Sequence, residues 1–230
     1  KKLTFKELNH KVSSVQKGLS KLGVKKGTIV AGFVPNCAET VISMLAVSSL
    51  GGVWTSCSPD FGANGVVDRF GQVNPHILIT SNGYSYNGKL FKLEEKVNGV
   101  LESIDSIRHI VEIEYVDIKS NFNHDSIISF GDILNGEQTK PTFEQLPFDH
   151  PQFIMYSSGT TGPPKSIVHS AGGTLIQHMK EHQLHCDIKA GKSIMFWFTT
   201  CGWMMWNWLV SGLSSGSTIV LYDGSPSYPS

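Results

Sequence analysis

The chain has 230 residues, 19 basic against 19 acidic side chains, 40% apolar residues and one residue in ten aromatic, an ordinary composition for a globular domain with a sizeable core. Zero formal net charge removes the long-range attraction to phosphate backbones or anionic lipid that a basic surface supplies. The strongly apolar runs, such as "SIMFWF" at 193–198, fall far short of the roughly 20 residues that cross a bilayer, so neither nucleic acid nor membrane is an expected partner.

The opening "KKLTFKELNHK" turns amphipathic without an apolar signal core. Thr4 with Glu7 forms a capping box, Gly23 closes the helix, and Phe5, Leu8, Val12, Val15, Leu19 and Leu22 make one apolar stripe at helical spacing. "TIVAGFV" (28–34) is short and β-branched and reads as a buried strand. Asn36 with Glu39 is expected to cap a second helix that runs to about Leu50. After the Gly51-Gly52 break come strand "VWTSC", a helix around 64–73, strand "HILIT" (76–80) and a Gly/Asn/Tyr-rich loop at 81–89. A helix over "LFKLEEKVNGVLESI", starting at Leu90, and strand "RHIVEIEYV" follow. Residues 117–150, polar and interrupted by proline, are expected as a surface excursion with a short helix near "SFGDIL". Strand "QFIMYS", a short "SIVHS", helix 171–186, strand "SIMFWF", helix 203–213 and strand "STIVLY" complete the run. Alternating strands and helices imply an α/β fold of parallel sheets with crossover helices in layers.

The stretch "SSGTTGPPKS" (157–166) lies directly behind a strand, where α/β sheets open the crevices that bind ligands. A flexible linker has similar composition but not that position. A Walker A loop needs a glycine before the lysine; Pro164 stands there, after Pro163, and proline has no N–H for an anion. What remains is a polyanion cradle: Gly159 and Gly162 free the backbone, Ser157, Ser158, Thr160 and Thr161 donate hydroxyl hydrogen bonds, and Lys165 on a rigid Pro-Pro brace supplies positive charge.

"YSSGTTGPPKS" (156–166) resembles the Tyr-Thr-Ser-Gly-Thr-Thr-Gly-x-Pro-Lys-Gly signature of the adenylate-forming enzymes, with Ser157 in place of threonine and Ser166 in place of the last glycine. Residues 51–75, and the two stretches 167–188 and 198–227, narrow the resemblance to the acetoacetate-activating CoA ligases of that superfamily. The resemblance implies the large N-terminal domain of such an enzyme and a loop that grips the β- and γ-phosphates of ATP. It further implies Mg²⁺ as an aid, acetoacetate and CoA as the other substrates, and an aromatic bordering the acyl pocket. By matching position that aromatic is Trp203, with Met204, Met205 and Trp206 walling the pocket. Read from the residues alone, the same segment is a helix apolar all round, hence buried, and Met and Trp there serve equally well as core fillers. The adenine, ribose and lid residues of the resembling enzymes lie in later sequence, so no catalytic residue is assigned within 1–230. The chain reads as an incomplete N-terminal AMP-binding domain, a piece of a longer protein, and the isolated piece is expected not to turn over. A truncated, non-catalytic nucleotide-binding module and a ligase for another small acid are the alternatives.

His178, His182 and His185, with Cys186 beside them, fall on one helix face and mimic metal ligands, but H-E-x-x-H is not met; a solvated face is expected, and no metal site is assigned. His169 borders the loop or satisfies the backbone at a strand end. "GLSSG" (212–216) has its glycines between helix and strand, the reverse of a nucleophile elbow, so Ser214 is turn chemistry. Cys37, Cys57, Cys186 and Cys201 stand singly, which suits a reducing, cytosolic setting.

Overall fold

The structure, a computed structural model, describes residues 1–135, 140–157 and 162–228. In chain order the elements are α1 (Phe5–Lys21), β1 (Ile29–Phe33), α2 (Ala38–Ser49), β2 (Val53–Cys57), α3 (Ala63–Phe70), β3 (Ile77–Ser81), β4 (Gly83–Tyr86), β5 (Lys89–Lys92), α4 (Glu94–Ser103), β6 (His109–Ile113), β7 (Ile127–Ser129), α5 (Phe130–Leu134), β8 (Pro151–Ser157), β9 (Lys165–Ser170), α6 (Ala171–Lys180), β10 (Ile194–Phe196), α7 (Met204–Ser211) and β11 (Thr218–Val220). Seven strands form one sheet in the order β7-β6-β3-β1-β2-β8-β9. Every pair in it is parallel except β8 with β9. β10 and β11 pair parallel in a separate ribbon.

Strand side chains alternate between two cores, as the period of two demands. Val30, Trp54, Ile77, Ile79 and Val111 pack with α1, α2 and α5. Ala31, Phe33, Cys57, Leu78 and Ile110 pack on the other face with Val66 and Phe70 of α3 and Val97 and Val100 of α4. Both faces being covered explains why β1, β2 and β3 carry no polar stripe. The capping box forms as its sequence dictates: Glu7 N–H donates to Thr4 Oγ1, and Thr4 N–H donates to Glu7 Oε2.

The structure corrects four expectations. Cys37, not Asn36, occupies the N-cap of α2, and no side chain caps it; Asn36 is held by distant partners instead. Residues 83–92 form the antiparallel β4–β5 hairpin, so the helix expected from Leu90 begins only at Glu94. Its turn is Asn87-Gly88, both at positive φ (48° and 70°), the backbone that suits the right-handed twist of a two-residue hairpin. β9 returns antiparallel to β8, because residues 158–164 are far fewer than the dozen that a parallel crossover requires. Finally, the described part of 117–150 lies mostly at the surface and carries the expected short helix as α5, but it is tied in more closely than an excursion: β7 adds the outer strand, and Phe122, Phe130 and Ile133 are buried.

The histidine face of α6 also departs from the solvated reading. His178 and His182 are buried, while Leu175, Ile176 and Leu184 are exposed. A π turn, Glu181–His185, extends α6, and the inward face packs on α7. His178 Nδ1 donates to Ser211 Oγ (2.8 Å), which itself donates to Trp208 O (2.7 Å). His182 Nε2 donates to the same Trp208 carbonyl (3.1 Å), and its Nδ1 is buried without a partner. Trp208 Nε1 donates to Glu181 Oε2 (2.9 Å). Each contact is made by a neutral imidazole. Burial is the main cause that pushes His178 down from 6.5 to about 4, with His182 and His169 adding to it and Glu181 opposing it.

Two outcomes follow from this packing. A Cβ on Gly32 would lie 2.6 Å from Trp54 Cζ2, and Trp54 is fully buried. Gly32→Ala is therefore expected to cost about 1–3 kcal/mol in urea unfolding, the usual penalty of overpacking. His178, whose folded-state pKa is depressed, lets the unfolded chain bind a proton that the native state refuses; its contribution is present above about pH 6.5 and is lost as pH falls towards about 4. The urea midpoint of the wild type should fall more steeply over that window than that of His178→Gln. Parallel slopes would contradict it.

Candidate functional site

The carboxyl ends of β1, β2, β3 and β8 lie side by side in the sheet, and β1 and β2 send their chains to opposite faces, the topological switch at which open α/β sheets bind ligands. Pro35 and Asn36 leave β1 at this edge. Asn36 is buried, and its side chain donates through Nδ2 to Thr199 O (3.3 Å) and Tyr222 O (3.1 Å) and accepts from Trp206 Nε1 (2.9 Å). Ser56, near the end of β2, donates to Cys201 O (2.6 Å) and accepts from Trp54 Nε1 (3.1 Å). Cys201 Sγ in turn reaches Pro35 O (3.4 Å). Residues 199–206 are thus laid across the end of the sheet by buried polar contacts from β1 and β2. Asp223, the residue after Tyr222, has its Oδ2 buried without a hydrogen-bond partner, and burial raises its pKa.

The four pocket residues fall into two groups. Trp203 is 59% and Met204 49% exposed, and Met205 is half-buried. Trp206 is 0% exposed and stacks on Trp54 with ring centroids 6.5 Å apart, so it backs this surface from the core. The segment is therefore not a helix buried all round: its first turn presents sulfur and indole to solvent. A cavity of about 10 Å³, the size of one water, is lined by Trp54, Ser56, Ile154, Met155, Cys201, Gly202, Trp203 and Asn207. Space beside Gly202 is tight: a Cβ would sit 3.3 Å from Phe61 Cζ and 3.4 Å from Ser58 N.

That cavity also touches the strand that carries the loop. Met155 lines it, and two residues on Ser157 pairs with Lys165, the first residue of β9. Ser157, Gly162 and Lys165 are described, with Gly162 and Lys165 exposed and open space around the Gly162 Cα. Ser158, Gly159, Thr160 and Thr161 lie outside the described residues. The strand end is braced from beneath: Tyr156 OH accepts from Thr55 Oγ1 (3.0 Å), and the Arg69 guanidinium lies 6.0 Å from the Tyr156 ring and 4.8 Å from that of Phe61. Burial, the dominant effect, pushes the Tyr156 phenol up. It stays neutral and serves as a prop.

Other titratable groups are poor nucleophiles here. Burial pushes the Cys37 and Cys57 thiols up to about 12 and Cys201 well above its usual value, which leaves them protonated. Ser214 Oγ donates to Ser211 O, a turn contact. His169 sits in the β8–β9 ladder opposite Phe153, half-buried, with its pKa lowered by burial. Among the described residues no three His, Cys, Asp or Glu side chains gather as metal ligands. The described part of the arrangement places the Lys165 cation at the start of β9 and the exposed Trp203–Met204 surface beside the cavity that Met155 lines. Sequence reasoning did not find Asn36 or Ser56 as organisers of that end. The available signal was their place at the carboxyl termini of two central parallel strands.

Comparison with known proteins agrees with this geometry. The chain is 49% identical over 229 residues to acetoacetyl-coenzyme A synthetase of Rhizobium meliloti (strain 1021), covering 99% of this chain and 35% of that protein. It is 47% identical over 237 residues to acetoacetyl-CoA synthetase of Mus musculus, again 99% of this chain and 35% of the relative. The solved acetoacetyl-CoA synthetase from Streptomyces lividans superimposes with a TM-score of 0.95 at 44% identity, over all of this chain and 35% of that one. The chain therefore spans about a third of the length of the curated relatives it matches. The sequence profile of the family described as AMP-binding enzyme matches residues 1–230, and the chain belongs to that family.

Proposed function

We propose that the chain is the phosphate- and acyl-binding part of a ligase that activates acetoacetate with ATP and transfers it to CoA. The observation that carries this reading is that β8, whose Ser157 pairs with Lys165, also contributes Met155 to a small cavity lined by Trp203. A carboxylate resists nucleophilic attack at neutral pH, and adenylation gives it a leaving group. One acetoacetate oxygen attacks the α-phosphorus of ATP; the new O–P bond forms as the bond to pyrophosphate breaks. The CoA sulfur then attacks the acyl carbonyl carbon, and AMP departs with the electron pair of the C–O bond.

In the first step the protein's work is positioning and charge stabilisation. The Lys165 ammonium faces the departing pyrophosphate charge, with the hydroxyls of Ser157, Ser158, Thr160 and Thr161 and the backbone at Gly159 and Gly162 as further donors. Trp203, Met204 and Met205 form a wall for the small acyl chain, with Trp206 setting its depth from behind. The described residues offer no acidic cluster for Mg²⁺; such an ion would ride on phosphate oxygens, as it commonly does with nucleotides, and no step here runs through it.

In the full-length protein, Lys165→Ala should lower acetoacetate-dependent pyrophosphate release about 10²-fold, the scale of removing one charge-stabilising donor, with KM for acetoacetate within about twofold. A panel of acids should place acetoacetate first by kcat/KM. A preference for acetate or a longer acid would refute the substrate, and an unaffected Lys165→Ala enzyme would refute the loop.

A further inference from the structure

We propose that Gln72 is a positioning residue for the phosphate loop, clamping its exit at Pro164 to the C-terminal end of α3. The inference rests on the reading of residues 157–166 as the ATP loop and adds a second residue, 92 positions away, that sets its height.

The hairpin ladder stops at Ser157 and Lys165. Beyond it, Pro163 and Pro164 have no N–H, so only carbonyl groups can tie them down. Gln72 Nε2 donates to Pro164 O at 2.6 Å. Among the described residues this is the one hydrogen bond that ties residues 162–164 to the body of the domain. The other hydrogen of the same amide goes to Asp68 O, also at 2.6 Å, within α3's last turn. That second bond fixes the amide plane, and the free hydrogen is then aimed at the loop.

The anchor itself is rigid. Val66 and Phe70 of α3 are fully buried, Gly71 N–H donates to Val67 O (2.9 Å), and Gln72 N–H donates to Arg69 O (3.2 Å). Arg69 Nη1 closes onto Gly65 O (2.7 Å) while its guanidinium covers Phe61. Gln72 therefore transmits the position of a packed helix to the residue immediately before Lys165. With Pro164 held, the backbone next to Lys165 needs less ordering when a triphosphate binds, so the clamp raises affinity for nucleotide without touching it. Gln72 is exposed, and its removal leaves the core intact.

The test uses the full-length enzyme carrying Gln72→Leu, which removes the donor, Gln72→Glu, which puts an acceptor in its place, and Lys165→Ala as reference. Both Gln72 variants should raise KM for ATP about fivefold or more, the usual scale of one neutral hydrogen bond. ATP binding measured by equilibrium dialysis without acetoacetate should weaken in parallel. KM for acetoacetate should stay within about twofold and the melting temperature within a few degrees. If Lys165→Ala weakens ATP binding while both Gln72 variants bind as wild type, the clamp is overturned and the loop reading stands. Equal rises in KM for ATP and acetoacetate would mark a general structural effect and overturn it too. Unchanged ATP binding in all three variants would overturn the loop reading and the clamp together.

Discussion

The buried amide of Asn36 is the constraint on which the carboxyl end of the sheet depends. One side chain holds the carbonyls of Thr199 and Tyr222 and the indole N–H of Trp206, so two chain segments more than 160 residues downstream share one anchor on β1. Amide donors and acceptors buried without partners would each cost roughly 1–3 kcal/mol, and that penalty makes the arrangement specific. A water-exposed asparagine would not discriminate between registers. Here any slip of the 199–206 segment leaves several polar groups orphaned at once.

The sheet supplies the second ingredient, a fixed edge from which two different devices project. Parallel strands put the ends of β1, β2, β3 and β8 on one side, and β9 returns antiparallel to β8 with Lys165 at its start. The end of β8 is ordered by Thr55 beneath Tyr156 and by Arg69 beside it, and Ile167 and Val168 pair with Met155 and Ile154 in the same ladder.

Much of this was legible in the residues. The capping box at Thr4 and the buried strands 29–33, 53–57 and 77–81 rest on local rules, and local rules hold where tertiary contacts agree with them. The failures have a common cause. Asn36 has the chemistry of a helix cap, but three partners far along the chain outbid that local role. "YNGK" at 86–89 carries the strong hairpin pair Asn-Gly, yet the helical period of Leu93, Val97 and Val100 runs on behind it and drew the boundary too early. The histidines of α6 look like a polar face because the residue types say so; inside, the His178 and His182 imidazoles each donate once, to Ser211 and to Trp208, and His182 Nδ1 has no partner. Which of Trp203, Met204, Met205 and Trp206 faces outward depends on a stacking partner on β2 that no sequence window contains.

That stacking carries the final step. Gly32 lacks a side chain, so the Trp54 ring lies over β1 within 2.6 Å of where a Cβ would stand. Trp54 meets Trp206 at an interplanar angle of 29°, and its Nε1 bonds to the Ser56 hydroxyl that holds Cys201. Trp206 is held in turn by Asn36 and lies in the first turn of α7, the turn that also carries Met204 and Met205. The position of the exposed Trp203–Met204 surface is therefore set by the volume of a glycine in a central strand and relayed through two indoles. Packing at interior density transmits such displacements and does not absorb them. A surface built this way draws its shape from the core behind it as much as from the residues that line it.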